Sequence, residues 1–131
     1  MGALLSSLDF FGLFSDPVES QYTQALRSME AGEKDAKTVV AWFKLSGYGG
    51  VEKDETGAVA LLEQQVGDGD SEAMWLLGLC KEYGIGTEKS VEMGDELYKK
   101  SQDAGNAVGE FLSKLHACGK NKVVITRLSF I

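Results

Sequence analysis

His116 and Cys118 are the pair most suggestive of chemistry, two positions apart in a chain with one histidine and two cysteines. A zinc site needs about four such ligands, and no further His, Cys or acidic cluster accompanies them. The simpler reading is a histidine near the negative end of a helix dipole. A Ser/His/Asp or Cys/His nucleophile would have to use His116, and no nucleophile-elbow motif accompanies it. Gly84-Ile85-Gly86 lacks the third glycine and the preceding strand of a dinucleotide fingerprint. No Walker lysine follows any glycine loop. Asp68, Asp70 and Glu72 alternate, yet the calcium-loop pattern is missing. The residues therefore predict no catalytic site, no metal and no cofactor.

Composition narrows the alternatives. The chain has 131 residues, enough for one domain with a modest core. Acidic residues outnumber basic ones 20 to 13, and the only basic cluster is Lys99-Lys100. Nucleic acid demands phosphate neutralisation and is disfavoured; a basic protein partner is favoured electrostatically. Cys80 and Cys118 are too few for a disulfide scaffold and read as reduced thiols in a cytoplasmic protein. No apolar run reaches the roughly 20 residues of a membrane span. The one proline, Pro17, suits a helical chain.

The elements that must position these residues are helices. From Asp70 to Asn106 the chain reads as a helical hairpin. Asp70 is an N-cap, and Ala73, Leu76, Leu77 and Cys80 recur at helical spacing. Gly84 and Gly86 break the helix, Ser90 caps a second one, and Gly105 stops it. The pattern repeats. Gly50, Val51, Lys53, Leu61, Leu62 and Gly69 lie 36 residues before Gly86, Thr87, Lys89, Leu97, Tyr98 and Gly105. Ala36, Val40, Ala41 and Lys44 lie 37 residues before Ala73, Leu77, Gly78 and Lys81. A period in this range is the signature of stacked helix pairs. Upstream, Asp16-Pro17 marks a boundary and a helix then runs through Tyr22, Ala25, Leu26 and Met29 to Gly32. Asp35 opens the first recognisable repeat, with Val39, Val40 and Phe43 as its expected core. Asp54 opens that repeat's second helix, with Ala58, Leu61, Leu62 and Val66 inward. Val108, Phe111, Leu112 and Leu115 lie on one face of a last helix.

Ala73-x-x-x-Leu77-Gly78, then Gly84-x-Gly86, then Leu97-Tyr98-Lys99-Lys100-Ser101-x-x-Ala104-Gly105, resembles the Sel1-like repeat, a relative of the tetratricopeptide repeat. The resemblance covers roughly residues 35 to 118. It implies an all-α solenoid of about three stacked antiparallel helix pairs over residues 16–118, acting as a non-catalytic interaction module, an adaptor or an assembly subunit. There are departures. Lys81 stands where the family usually has an aromatic, and Ala41 where it has the small residue Gly78. Gly57 and Gly94 occupy positions where it prefers helix formers, each at a cost of about 1 kcal/mol. In resembling tetratricopeptide-type repeats, the first helix of each pair lines the concave face. That register places Thr38, Trp42 and Leu45, then Glu72, Trp75, Leu79, Glu82 and Tyr83, then Phe111 on the partner-binding wall. The alternative is that Trp42 and Trp75 are core, or are covered by one of the terminal segments.

Two segments flank the repeats. Residues 1–15 are apolar, with Leu4, Leu5, Leu8, Phe10, Phe11, Leu13 and Phe14 and a single charge at Asp9. They lack the basic start of a secretory signal. Met1-Gly2-Ala3-Leu4-Leu5-Ser6 fits the short N-myristoylation pattern, with Gly2 as acceptor. The two readings are a packing helix at the end of the solenoid and a lipid anchor; the latter would make the chain a peripheral membrane protein. Residues 119–131 are β-branched, aromatic and basic, with strand propensity. Such a tail lies in its own groove, in a neighbour's, or serves as a free ligand whose Ser129-x-Ile131 ending resembles a PDZ-binding terminus.

Overall fold

Helix boundaries in this chain fall where a side chain can cap an orphan amide or where a glycine can turn left-handed. The computed structural model describes residues 17–118. Six α-helices lie among the described residues: α1 (Pro17–Glu30), α2 (Ala36–Ser46), α3 (Glu55–Gly67), α4 (Ser71–Tyr83), α5 (Val91–Asp103) and α6 (Ala107–Cys118). A short 3-10 turn, Tyr48–Gly50, follows α2. Asp54 caps α3 by accepting from the Gly57 amide at 3.0 Å, and Ser90 caps α5 by accepting from the Met93 amide at 3.3 Å. Gly84 ends α4 in the left-handed region at φ 69°, its amide donating to the Cys80 carbonyl. Glycine, having no Cβ, adopts that conformation at the least steric cost.

The helices stack in chain order. Pairs α2–α3 and α4–α5 pack internally, α3 packs on α4, α1 lies against α2, and α6 lies against α5 and α4. This nearest-neighbour pattern is that of an α-solenoid. The core runs through the middle of the stack: Ala41 of α2, Ala58 and Leu62 of α3, and Ala73, Leu77 and Cys80 of α4 are all buried. Leu45, Leu61, Val66 and Leu97 pack against its edge.

Small residues set the helix separations. Tyr98 of α5 is 1% exposed and lies over Gly78 of α4. A methyl group added at Gly78 would stand 2.6 Å from the Tyr98 ring, and one at Gly94 would stand 2.9 Å from the Gly78 carbonyl oxygen. The helix-propensity cost expected at Gly94 is thus the condition for the α4–α5 approach. At α6 the same logic holds, because a methyl at Gly109 would overlap Ser101.

One expectation about packing is corrected. Val39, expected in the core, is 46% exposed, while Val40, Ala41 and Phe43 beside it are buried. Val39 shares its helix face with Asp35 and Trp42, and that face borders the space toward Trp75 and Leu76 of α4 instead of the core. On α6 the small residues are the most buried. Gly109 and Ser113 are buried, whereas Val108 and Phe111 are 40% and 60% exposed. Only small residues let α6 approach the α5 backbone. The apolar segment 1–15, the acceptor Gly2 and the tail 119–131 lie outside the described residues. Among the described helices none is long and apolar enough to cross a membrane.

Gly78→Ala should destabilise the fold by about 1–3 kcal/mol, because overpacking against Tyr98 outweighs the gain in helix propensity. Gly67→Ala, at a site with no atom within 4 Å of the added methyl, should stabilise by about 0.4–1 kcal/mol. Urea unfolding of the two variants checks both signs.

Candidate functional site

Asp70 organises the site. Its side chain caps α4 by accepting from the Glu72 amide at 3.0 Å. The other carboxylate oxygen accepts from the Thr38 hydroxyl of α2 at 2.5 Å and from the Gln65 amide of α3 at 3.4 Å. Three helices are thereby tied at one carboxylate. Asn106 does the corresponding job one repeat later. Its side-chain oxygen accepts from the amides of Val108 and Gly109, capping α6. Its amide donates back to Glu72 at 2.8 Å and to the Ser71 hydroxyl at 3.2 Å. Glu72 in turn accepts from the Trp75 indole at 2.9 Å, so the Trp75 ring is oriented by a chain of polar contacts that begins in the next repeat.

These contacts frame a groove between α2 and α4. It has a volume of about 400 Å³, and its walls are Val39, Trp42, Trp75 and Leu76, with Thr38 and the carboxylates of Asp35, Asp70 and Glu72 around them. Trp42 is 42% exposed and stands edge-on to Phe43, ring centroids 5.0 Å apart, with Tyr48 at 5.8 Å on its other side. Trp75 is half-buried and packs on the core edge.

Of the residues placed on this wall from the sequence, the structure brings Thr38, Trp42, Glu72 and Trp75 together. The others lie elsewhere. Leu45 packs on the core. Leu79 is half-buried outside the groove lining. Glu82 accepts from the buried Tyr98 hydroxyl at 2.6 Å, so its carboxylate serves the α4–α5 interface. Tyr83 and Phe111 are each 60% exposed, at the end of α4 and on α6. Sequence reasoning missed Asp35, Val39, Asp70 and Leu76 as lining residues. Asp35 and Val39 were detectable, because they stand four apart on the face that already carried Trp42.

Other groups are spoken for. His116 Nδ1 stands 2.9 Å from Asp95 Oδ1, pinning α6 to α5, and Asp95 also pairs with Lys99 at 3.0 Å. No cluster of three or more His, Cys, Asp or Glu suited to a metal occurs among the described residues. Burial, reinforced by the charge of Glu55, pushes the Cys80 thiol up to about 11. Burial first, then the bond to Glu82, raises Tyr98 above the usual phenol range. Both are therefore protonated at neutral pH. A larger cavity of about 750 Å³ lies beside Tyr22 and the Gly49–Asp54 loop. Across it Lys44 pairs with Asp54 at 3.6 Å.

Asp70→Ala should destabilise by about 2 kcal/mol, combining the lost N-cap with the loss of the acceptor for Thr38 and Gln65; thermal unfolding measures it. Titration of the native chain with a thiol reagent at pH 8 should count Cys118 promptly, since it is exposed, and Cys80 only after denaturant is added.

No protein-family model matches the chain, and no curated protein matches it. Solved structures do. A Sel1 repeat protein from Oxalobacter formigenes superposes with a TM-score of 0.65 at 25% identity, over 72% of this chain and 38% of that one. A protective antigen with an SLR fold from uropathogenic Escherichia coli superposes with a TM-score of 0.65 at 26% identity, over 76% of this chain and 21% of that one. The chain thus spans well under half the length of either neighbour. The 35- and 36-residue spacing of α2, α4 and α6, the left-handed Gly84 stop, the Gly78–Tyr98 contact and these superpositions agree: the helix pairs of this chain are Sel1-like repeats, stacked as an α-solenoid.

Proposed function

We propose that this chain is a non-catalytic interaction module, an adaptor or assembly subunit that takes a peptide or helical segment of a protein partner in the groove between α2 and α4. The observation that carries the reading is the groove itself. Consecutive first helices each present a tryptophan to one cavity of about 400 Å³. Aromatic anchors in a preformed depression are what protein interfaces use as their energetic centres. The Sel1-like fold supports the same class, since it is a protein-interaction fold whose repeats present an extended surface. Acidic character favours a partner that is basic where it docks: the chain carries net charge −7, and three carboxylates line the groove.

Val39 provides the cleanest test, because it lines the groove at 46% exposure and contributes little to the core. Affinity capture would compare the wild-type chain with Val39→Arg and with Ala60→Arg, an exposed position on α3. A partner captured by the wild type should survive Ala60→Arg and fall at least about tenfold with Val39→Arg, the equivalent of ~1.4 kcal/mol. A partner retained equally by both variants places binding elsewhere on the chain and overturns the reading.

A further inference from the structure

We propose that the groove is a receptor for one cationic side chain, a lysine or arginine carried on a segment of the partner protein, with Asp35 as the receiving carboxylate. This rests on the peptide-groove reading above and goes further, to a chemical class and a residue.

The walls are aromatic and aliphatic: Trp42, Trp75, Val39 and Leu76. Every ionisable group among the lining residues is a carboxylate; no lysine, arginine or histidine lines the groove. An aliphatic stem with a charged head matches such a site, the stem lying on the apolar wall and the head on an indole face or a carboxylate. The groove does sit at the N-terminal ends of α2 and α4, whose dipoles oppose a cation. Each supplies an effective charge of only about +0.5, against three carboxylates. The balance is negative.

The three carboxylates are not equivalent. Asp70 has three donors, and Glu72 is held by Trp75 and Asn106. Asp35 makes no side-chain capping bond, and no donor among the described residues reaches its carboxylate. Lys37, two residues on, donates to Gln64 at 2.8 Å; Lys34 lines the cavities on the far side of Asp35. Asp35 is also the single non-glycine residue among those described with positive φ, at 68°. Asparagine is at ease in that left-handed region. Asp35→Asn therefore removes the charge while keeping the shape and leaving the backbone unstrained.

The probes are fluorescein-labelled, capped nonapeptide libraries with randomised flanks and a central lysine, arginine, norleucine or glutamate. Anisotropy is read on the full chain at fixed ionic strength, with melting temperature alongside. The proposal expects the lysine and arginine libraries to bind at least tenfold tighter than the other two. It expects Asp35→Asn to cut that preference below threefold without lowering the melting temperature. If the libraries bind, lose binding in Val39→Arg, and show no preference for a cation, the cation site falls and the peptide groove stands. An Asp35→Asn chain that keeps the full preference removes Asp35 from the role. If no library binds, the peptide-groove reading falls and this proposal with it. A synthetic peptide of residues 119–131, with Lys120, Lys122 and Arg127, is a further arm. Its binding more tightly than every library would assign the groove to this chain's own terminus and overturn an external partner.

Discussion

The fold depends most on what the residue opening each repeat does with its side chain. Asp35, Asp70 and Asn106 stand at the same point of successive repeats, just before α2, α4 and α6. Asn106 caps its own helix and reaches back to Ser71 and Glu72. Asp70 caps its own helix and accepts from Thr38 and Gln65 of the preceding pair. Each thus spends one end on its own helix and the other on its predecessor. In a solenoid, where stability is a sum of unit and nearest-neighbour terms, that bond is the polar part of the neighbour term. Asp35 departs from the rule: its side chain makes no capping bond, and its backbone is left-handed. The first helix of a preceding pair, which would supply the reach-back partner, is not among the described elements.

The second constraint is steric. Small residues at Gly78, Gly94, Ser101 and Gly109 let α4, α5 and α6 approach closely, and Tyr98 fills the space they leave. A buried phenol needs an acceptor. Glu82 supplies it at 2.6 Å, which is why an acid assigned by register to an outer wall turns inward. With small residues filling the α5–α6 interface, the bulk of Phe111 on α6 stays outside. Trp42, Val39 and Phe111 are left at the surface.

Local features were the ones legible in the sequence. Asp54, Asp70 and Ser90 as caps, Gly84 as a left-handed stop and the period of the helix pairs follow from bonds made within a few residues. They needed no tertiary knowledge. Trp42 and Trp75 line one groove, as helical register implies, because register carries that information. Val39 was expected in the core, since apolar periodicity identifies a face without saying whether core or groove lies against it. Gly94 was read as a penalty because its reason, the Gly78 carbonyl across the helix crossing, is sixteen residues and one loop away. Glu82 bonds Tyr98 and Leu45 packs on the core for the same reason: what they touch is decided by the neighbouring helix.

The groove is preformed, and the manner of its construction bears on what it can bind. Trp75 is fixed by its indole bond to Glu72, and Glu72 by Asn106 in the following repeat. Thr38 is fixed by Asp70. One wall and the floor are therefore ordered before any ligand arrives, and a partner bears little of the usual entropic cost of organising its receptor. The opposite wall differs. Among the described residues Trp42 makes ring contacts with Phe43 and Tyr48, and no donor reaches the Asp35 carboxylate. A rigid aromatic surface facing an adjustable aromatic and an unengaged carboxylate discriminates poorly among apolar side chains, which need matched shape. On the proposed reading it would discriminate well by charge, because the acid could be positioned by the ligand while the indole faces supply a tolerant seat.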